Sequence, residues 1–241
     1  MLEYGDVTPP IGSRDAKDAL FDGFARMAAA LASGRRLEII DVLAQAPRTV
    51  EDVAAAIGQS VANTSHHLRR LADDGLVRAH REGRHIVYRL ASEHVYGLWL
   101  ALQKVAAIHH RDLESRAAAY LGDRAEIELI DRETLRRRTE RGDHVVVIDV
   151  RPEAEYVAGH IDGAIPAPPD VLGELLPLLP HDAEIVAYCR GRYCAYADQA
   201  VRQLRAAGRT AYRLDEGYRE WELAVGLSDG VTREKEEAIG A

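Results

Sequence analysis

One stretch in the second half constrains the fold of this chain more than any other. It is an apolar run, residues 185–188, that ends on Cys189 and is followed within a few residues by a helical pattern. Residues 195–207 place apolar side chains at helical spacing and stop at Gly208. Cys189 is therefore predicted to lie where a buried strand passes through a short turn into a helix N-terminus. Inward N–H groups of such a turn, together with the helix end, favour an anion.

Both cysteines of the chain, Cys189 and Cys194, lie in this turn. The anion that such a site favours on a cysteine is its own thiolate, and Arg190 and Arg192 strengthen the positive field. We therefore predict that Cys189 is a nucleophile at neutral pH. A buried or zinc-binding cysteine pair is the alternative, which a C-x4-C spacing without nearby ligands disfavours. Two cysteines in one loop also make no secreted disulfide framework, which favours a reducing compartment.

The second half as a whole alternates between strand and helix patterns. Residues 145–150 form an unbroken apolar run that is typical of a strand buried on both faces. This alternation predicts an α/β domain over residues 125–228, with a parallel sheet and the Cys189 turn at the carboxyl end of a strand. The predicted strands and helices, apart from short ones after Pro152 and at Pro166, cover residues 128–130, 131–140, 145–150, 172–179, 185–188, 195–207 and 210–214.

Four motifs of this half, together with Trp221, resemble those of a rhodanese domain. They are Asp149-Val150-Arg151, Gly159-His160-Ile161-Asp162-Gly163-Ala164, Cys189-Arg190-Gly191-Arg192 and Asp215-Glu216-Gly217-Tyr218. The resemblance implies a sulfur carrier: the cysteine takes a sulfane sulfur from a donor, holds it as a persulfide and passes it to an acceptor thiol or cyanide. No cofactor is expected.

The rhodanese resemblance assigns roles to the residues of the turn. Cys189 is expected to be the nucleophile and carrier, and the backbone N–H groups of the turn are expected to hold the anionic persulfide. Asp149 and Arg151 are expected to brace the loop rather than react. The residues predicted to form the anion cradle are Arg190, Gly191, Arg192, Tyr193 and Cys194.

Cys194 occupies the sixth position of the loop, where relatives often carry Arg, Thr or Ser. It is either a small residue that opens the helix, or a resolving thiol. A resolving thiol attacks the persulfide on Cys189 and releases hydrosulfide, or traps the sulfur as a disulfide or polysulfide bridge. A phosphatase or arsenate-reducing chemistry is a further alternative for this fold, but it requires Cys-x5-Arg. The residue six after Cys189 is Ala195, which disfavours that chemistry.

The first half has the pattern of a winged helix. A tight turn at Gly58 joins two short helices, and an arginine- and histidine-rich hairpin with its turn at residues 82–84 follows them. A long helix with an apolar stripe follows the hairpin. The predicted helices cover residues 18–33, 36–46, 50–57, 61–73 and 92–121, and the hairpin strands cover residues 76–80 and 85–90.

This half resembles the ArsR family of bacterial repressors. The resemblance is carried by residues 35–40, by Ser65-His66-His67-Leu68-Arg69-Arg70-Leu71, by Gly75-Leu76-Val77 and by residues 84–88. It implies a homodimer, formed through the first and last helices, that binds double-stranded DNA at a palindromic operator. The residues expected to meet bases or phosphates are Gln59, Ser60, Asn63, Thr64, Ser65 and His67, and those expected to meet phosphates are Arg69, Arg70, Arg81 and Arg84.

The charge distribution agrees with a DNA-binding first half. The net charge of −8 belongs to the second half, because residues 1–122 hold equal numbers of basic and acidic side chains. Within the first half, residues 60–90 contain six arginines and four histidines against three acids. No apolar run approaches the length of a membrane span and the start of the chain is not a basic, apolar leader, so we expect a cytoplasmic protein with no membrane partner.

No metal site is expected. The family often senses metals through a Cys-x-Cys pair, and residues 49–53 of this chain contain no sulfur at the corresponding place. A second metal site of some relatives uses carboxylates and histidines of the last helix, and the candidates here do not have the usual spacing of those ligands. These candidates are Glu93, His94, His109, His110 and Glu114.

The sequence thus predicts two domains with linked functions. Residues 1–17 are expected to form a flexible arm, residues 18–121 the winged-helix and dimerisation domain, residues 125–228 the rhodanese domain and residues 229–241 a tail. The leading hypothesis is a transcriptional regulator whose rhodanese domain accepts sulfane sulfur on Cys189 and thereby changes operator affinity. The alternative is primarily a sulfurtransferase enzyme, with thiosulfate or polysulfide as donor and DNA binding secondary.

Overall fold

The computed structural model describes residues 11–224 of the chain. Residues 1–10 of the predicted arm and residues 225–241, which include the predicted tail, lie outside the described residues. The chain divides into two compact units, Met1–Ala101 and Leu102–Ala241. Each unit has its own buried apolar core.

The first unit is mainly helical, with a small antiparallel sheet. Its elements are α1 (Arg14–Leu31), α2 (Gly34–Gln45), β1 (Arg48–Thr49), α3 (Val50–Ala56), α4 (Val61–Asp73), β2 (Val77–Glu82) and β3 (His85–Leu90). Helix α1 begins at Arg14, four residues before the predicted start. The cause is Ser13, whose hydroxyl accepts a hydrogen bond from the N–H of Ala16 and so caps the helix.

The pair α3 and α4 forms the predicted helix-turn-helix. Thr49 and Asp52 form a capping box at the start of α3, and the Ser60 hydroxyl caps α4 through the N–H of Asn63. Between the helices Gly58 adopts a φ of 61°, which is a left-handed conformation that glycine adopts without steric cost. These local signals explain why the predicted bounds of α4, residues 61–73, agree with the structure.

The hairpin strands pair in the order β1-β3-β2. Strands β2 and β3 are joined at Gly83, which has a φ of 59°. Strand β1 was not predicted, because two residues are too few to show the alternation by which a strand is recognised. The core beneath the sheet includes Ile39, Ile40, Leu43, Val53, Leu68 and Leu71.

The predicted long helix over residues 92–121 is wrong. The structure has two helices, α5 (Glu93–His109) and α6 (Leu113–Leu121), separated by a turn in which the N–H of Leu113 donates to the carbonyl of His110 at 3.1 Å. The apolar stripe that supports a straight helix ends at Ile108. The residues that follow Ile108 are polar, so no burial of apolar side chains favours a continuation of the helix in the same direction.

The second unit contains a parallel sheet with helices around it, which confirms the predicted fold class. The strands lie in the order β4-β8-β7-β5-β6, and every adjacent pair is parallel. Its elements after α6 are β4 (Leu129–Ile130), α7 (Arg132–Glu140), β5 (Val145–Asp149), α8 (Glu153–Ala158), β6 (Ile165–Pro166), α9 (Leu172–Leu175) with a 3-10 turn (Leu176–Leu178), β7 (Glu184–Tyr188), α10 (Ala195–Ala206) and β8 (Ala211–Leu214).

Strand β7 is the centre of this sheet and is buried on both faces. Ile185 and Ala187 pack into one cluster of apolar side chains, and Val186 and Tyr188 pack into the cluster on the opposite face. This alternation is what a continuous apolar run in a covered parallel sheet produces. The carboxyl end of β7 therefore emerges from a rigid core directly into the turn that begins with Cys189.

The helices of residues 11–224 are all either too short or too polar to cross a membrane. In the first unit, the indole N–H of Trp99 on α5 donates a hydrogen bond to the carboxylate of Asp41 at 3.1 Å.

Candidate functional site

The turn between β7 and α10 brings the two cysteines together. Cys189 follows the last residue of β7 and is only 2% exposed. Cys194 is the N-cap residue of α10, is half-buried, and makes no side-chain capping hydrogen bond. The two residues form a disulfide, with their Cα atoms 6.2 Å apart.

Two arginines from outside the turn hold its backbone carbonyls. Arg213 on β8 donates from Nη2 to the carbonyl oxygens of Gly191 at 2.8 Å and Arg192 at 3.1 Å. Arg124 donates to the carbonyl of Arg192 at 3.0 Å. In a trans peptide the N–H that follows a carbonyl points the opposite way, and the described residues contain no cis peptide bond. The N–H groups of Arg192 and Tyr193 therefore point away from these two guanidinium groups.

A buried carboxylate joins the two arginines. Asp198 on α10 is fully buried, and its two carboxylate oxygens lie 2.8 Å from Nε of Arg213 and 2.5 Å from Nε of Arg124. Burial lowers the pKa of Arg213, and the charge of Asp198 opposes that effect. An arginine remains protonated under such conditions, so Asp198 compensates the buried positive charge of Arg213.

The other side of the turn is closed by Gly217 and Tyr218. The N–H of Tyr218 donates to the carbonyl of Cys189 at 3.1 Å. Gly217 lies so close to the backbone of Arg190 that a Cβ at this position would overlap the Arg190 carbonyl. Only glycine permits this approach, which explains physically why the turn requires the glycine of the Asp215-Glu216-Gly217-Tyr218 motif.

Asp149 and Arg151 form a buried pair beside the turn. Arg151 is 1% exposed, binds both carboxylate oxygens of Asp149, and donates to the carbonyl of Gly159 at 2.7 Å. Its guanidinium also lies 4.4 Å from the ring centre of Tyr218. Burial disfavours its charge, but the hydrogen bonds and charge of Asp149 outweigh burial and raise the pKa of Arg151. The Asp149–Arg151 pair therefore connects the end of β5 to Tyr218, whose N–H binds the carbonyl of Cys189.

Tyr188 completes this buried cluster. Its hydroxyl donates to Asp149 at 2.6 Å and accepts from the N–H of Ile161 at 3.1 Å. Burial, followed by the negative charge of Asp149, raises the pKa of Tyr188 well above its usual value. Tyr188 therefore remains a neutral hydrogen-bonding residue at any physiological pH.

The expectation that Arg190 strengthens the positive field of the turn needs correction. Arg190 forms an ion pair with Glu155, a fully buried carboxylate, with Nη2 and Oε1 2.6 Å apart. Its charge is compensated inside the domain, so it anchors the turn rather than adding to the external field. Arg192 is exposed and Tyr193 is half-buried, so Arg192 is the arginine of the turn that faces solvent.

Most of the predicted DNA-contacting residues lie along the outer face of α4 and its N-terminal turn. Ser60, Asn63, Arg69 and Arg70 are exposed, and Gln59, Ser65 and His67 are half-buried. Several of them contact one another: Asn63 donates to the Gln59 side chain at 2.8 Å, and Arg69 donates to the Ser65 hydroxyl at 3.3 Å. On the hairpin, Arg81 and Arg84 are exposed.

The prediction that Thr64 contacts DNA is wrong. Thr64 is fully buried. It lies four residues before Leu68 and seven before Leu71, which places all three on the core face of α4. That spacing was the available sequence signal.

His67 carries less charge than its position suggests. Burial lowers the pKa of His67, and the positive charges of Arg36, His66 and Arg35 lower it further. The ring is therefore neutral at pH 7 and offers hydrogen bonds rather than attraction to phosphate. Arg70 is partly compensated as well, because its Nε lies 3.0 Å from a carboxylate oxygen of Asp74.

Several supporting residues were not identified from the sequence: Glu155, Tyr188, Asp198, Arg213 and Arg124. Arg124 and Asp198 are 74 residues apart in the chain, and no local pattern links them. Among residues 11–224, the structure brings together no group of three or more His, Cys, Asp or Glu side chains able to hold a metal ion.

Two family profiles match this chain. "Bacterial regulatory protein, arsR family" matches residues 33–79, and "Rhodanese-like domain" matches residues 131–224. The first range contains α2 to α4, and the second contains strands β5 to β8 of the parallel sheet and the cysteine turn. Both matches agree with the resemblances identified from the motifs.

Similar proteins include regulators. The "HTH-type transcriptional regulator Rv0324" of Mycobacterium tuberculosis is 48% identical over 213 residues, covering 88% of this chain and 93% of that protein. The "Transcriptional repressor SmtB homolog" of Synechocystis is 37% identical over 93 residues, 39% of this chain and 67% of that protein. A solution structure of a homodimeric winged helix-turn-helix fragment, Mb0332 of Mycobacterium bovis, is 46% identical, with 42% of this chain and 93% of the fragment covered and a TM-score of 0.39.

The relationship to Rv0324 extends over nearly the whole of both proteins and therefore includes both halves of this chain. It favours the regulator over the enzyme among the two functions that the sequence suggested. The chain belongs to the ArsR family of transcriptional regulators, and it carries a rhodanese-like domain after its winged helix.

Proposed function

We propose that this regulator binds a palindromic double-stranded DNA operator as a homodimer, and that sulfane sulfur bound to Cys189 changes its affinity for that operator. The observation that carries the proposal is the combination, in one chain, of a winged helix with exposed basic side chains and a cysteine held in a braced turn. Primary sulfurtransferase activity is the weaker candidate, because the full-length relative is a regulator.

DNA binding is supported by the surface of α4 and the hairpin. The exposed polar side chains of Ser60 and Asn63 lie near the N-terminus of α4, which is the end that enters the major groove in helix-turn-helix proteins. Arg69, Arg81 and Arg84 supply exposed positive charge for phosphates. We propose that α4 reads bases and that the hairpin binds the adjacent backbone.

Dimer formation is supported by apolar side chains that the single chain leaves exposed. Phe21 and Phe24 on α1 are 57% and 61% exposed, and Val105 and Ile108 on α5 are 55% and 75% exposed. Exposed apolar side chains clustered on a helix mark interaction surfaces. A twofold dimer formed by these helices would present two copies of α4, which is the reason for expecting a palindromic operator.

Sulfur acceptance is supported by the geometry of the cysteine turn. In the reduced protein, the Cys189 thiolate would attack the outer sulfur of a sulfane donor. With thiosulfate, the new S–S bond forms on Cys189, the S–S bond of thiosulfate breaks, and sulfite leaves with the electron pair. The product is a persulfide anion on Cys189, and the N–H groups of Arg192 and Tyr193 would stabilise its charge. A thiol would be the acceptor.

The proposed functional units follow the boundaries expected from the sequence. Residues 18–121 would bind DNA and dimerise, and residues 125–228 would bind sulfur. A regulator of chromosomal DNA works in the bacterial cytoplasm, where a reducing environment keeps Cys189 available for sulfur.

A mobility-shift titration of the full chain on the DNA upstream of its own gene tests this function. We expect the reduced protein and the protein treated with inorganic polysulfide to differ in affinity by about tenfold, or about 1.4 kcal/mol. Cys189→Ser should bind DNA with one affinity in both conditions. Absence of DNA binding in both states would refute the regulator, and an equal response of Cys189→Ser would refute the role of Cys189.

A further inference from the structure

The disulfide between Cys189 and Cys194 indicates that the turn holds a second reactive sulfur besides that of Cys189. We propose that Cys194 is the resolving residue of the sulfur site: its thiol attacks the persulfide on Cys189, releases the outer sulfur as hydrosulfide, and leaves the disulfide seen in the structure. This inference rests on the proposed sulfur acceptance by Cys189. It extends that function by giving the regulator a way to remove its own signal.

The two sulfur atoms meet without any rearrangement of the fold. The Cα separation of 6.2 Å lies within the range of about 4.4–6.8 Å that disulfides span. The cysteines are five positions apart along the chain, and the turn between them is fixed by Arg213 and Arg124. A persulfide on Cys189 would therefore form within reach of the Cys194 sulfur.

The disulfide is not needed to hold the turn. Arg213 and Arg124 bind its carbonyls, Tyr218 binds the carbonyl of Cys189, and Arg190 is fixed by Glu155. A small residue without sulfur would open α10 equally well, because the Cys194 side chain makes no capping hydrogen bond. The sulfur of Cys194 is thus explained by chemistry rather than by support.

The surroundings of Cys194 favour its ionised form. It is the N-cap of α10, a helix of 12 residues, and the partial positive charge of a helix N-terminus stabilises a thiolate. The Cys194 sulfur also has no other polar function in the turn. A thiolate at this position is both near the persulfide and able to attack it.

The resolving step balances in atoms and electrons. The Cys194 sulfur attacks the Cys189 sulfur, a new S–S bond forms between the two residues, and the bond to the outer sulfur breaks. The Cys194 thiol first gives its proton to the outer sulfur of the persulfide anion and attacks as a thiolate, and the outer sulfur leaves with the electron pair, so the products are a disulfide and hydrosulfide. The sulfane sulfur is reduced to sulfide, and the two cysteine sulfurs are oxidised together.

A dithiol reductant would then return the turn to its starting state. Cys189 is 2% exposed in the disulfide, whereas Cys194 is only half-buried. The reductant would therefore attack the Cys194 sulfur and expel the Cys189 thiolate. The second thiol of the reductant would release Cys194 and itself become a disulfide. The difference in burial thus fixes the direction of the reset.

The test measures persulfide lifetime in the full chain. Wild type, Cys194→Ser, Cys194→Ala and Cys189→Ser are reduced, freed of reductant without oxygen, loaded with inorganic polysulfide and followed by intact mass spectrometry and a sulfide assay. We expect wild type to lose the added sulfur, release hydrosulfide and end two hydrogen atoms lighter than the reduced chain. The two Cys194 variants should retain one extra sulfur with a lifetime longer by on the order of a hundredfold, because an intramolecular thiol acts at a high effective concentration.

The outcomes separate this inference from the function on which it rests. If wild type gains sulfur but both Cys194 variants lose it equally fast, the resolving role is overturned and sulfur acceptance stands. A wild-type product that bridges the two cysteines while retaining the added sulfur also overturns the release step. If the reduced wild type gains no sulfur, or Cys189→Ser gains as much as wild type, sulfur acceptance by Cys189 itself fails. A reduced wild-type sample without polysulfide should stay reduced, which excludes oxidation by air as the source of the disulfide.

Discussion

The α4 surface that we propose faces DNA and the cysteine turn solve opposite physical problems. Ser60, Asn63 and Arg69 are exposed and make contacts within their own helix or its cap. The cysteine turn is instead held by buried charges from distant strands and helices, above all Asp198 and Arg213. A surface that must meet a partner stays local and adaptable, whereas a site that must stabilise a reactive anion is built rigid before the anion arrives.

Removing the buried carboxylate should give the largest effect. In Asp198→Ala, Arg213 stays buried, and both Arg213 and Arg124 lose the carboxylate of Asp198. Breaking one side of a buried ion pair costs about 3–5 kcal/mol. We expect chemical denaturation to show this loss in the free energy of unfolding of the second unit, which contains the parallel sheet. Asp170→Ala, at an exposed position, is the matched control and should change stability by about 0.5 kcal/mol or less. Equal stability of the two variants would contradict the structural role of Asp198.

Crowding the turn from its other side should have the next largest effect. In Gly217→Ala the added methyl group overlaps the backbone of Arg190, and overpacking of this kind costs about 1–3 kcal/mol. The turn must shift, so sulfur loading of Cys189 should slow as well, as measured by intact mass spectrometry. Gly173→Ala is the control, because a Cβ there meets only the Gln203 side chain at 3.7 Å. Normal loading by Gly217→Ala would show that the turn tolerates movement.

The DNA-facing side should respond more weakly, because its contacts are local. Ser60→Ala removes the hydroxyl that caps α4 and should cost about 1 kcal/mol of stability. Ser65→Ala, inside the same helix, should change stability by about 0.5 kcal/mol or less. Thermal unfolding of both variants measures the difference. A loss at Ser65 that equals the loss at Ser60 would mean that the cap is not the cause.

The same contrast explains how much of the molecule could be predicted from its sequence. The bounds of α4 and the central strand β7 were predictable because a serine cap, a glycine turn and a continuous apolar run are local signals. The Asp198–Arg213 contact was not, since it exists only after the sheet has formed. The break after α5 and strand β1 were missed because each depends on one or two residues rather than on a repeating pattern.

In the site, the sequence identified the residues that we propose to react, and those that are exposed, more readily than the buried residues that support them. Cys189 and the Asp149–Arg151 pair follow from motifs, and Cys194 follows from its place in the same loop. The structure places all four around one turn or its neighbouring strand. Burial, however, reversed two expectations. Thr64 belongs to the core of α4, and Arg190 is neutralised by Glu155. Whether a polar residue faces the core or the solvent depends on packing, which the residue type at one position does not reveal.

The smallest effect is expected at the one titratable group of the α4 surface whose pKa shift has a clear cause. Burial lowers the pKa of His67 below its ordinary value of 6.5, and the charges of Arg36, His66 and Arg35 add to the shift. The unfolded chain therefore binds a proton at His67 more readily than the folded chain. Stability should fall as pH decreases through 6.5 toward the folded pKa and should be unaffected by this group above that range.

His67→Gln should flatten this part of the stability profile, because glutamine does not titrate. Urea denaturation between pH 5 and pH 8, a range that brackets the ordinary histidine pKa, measures the slope. His85→Gln, on the exposed hairpin, tests whether any histidine would give the same change. If the two variants flatten the profile equally, the cause is net charge rather than the burial of His67. If only His67→Gln does so, even the adaptable DNA-facing surface contains one residue whose charge is set by the core beneath it.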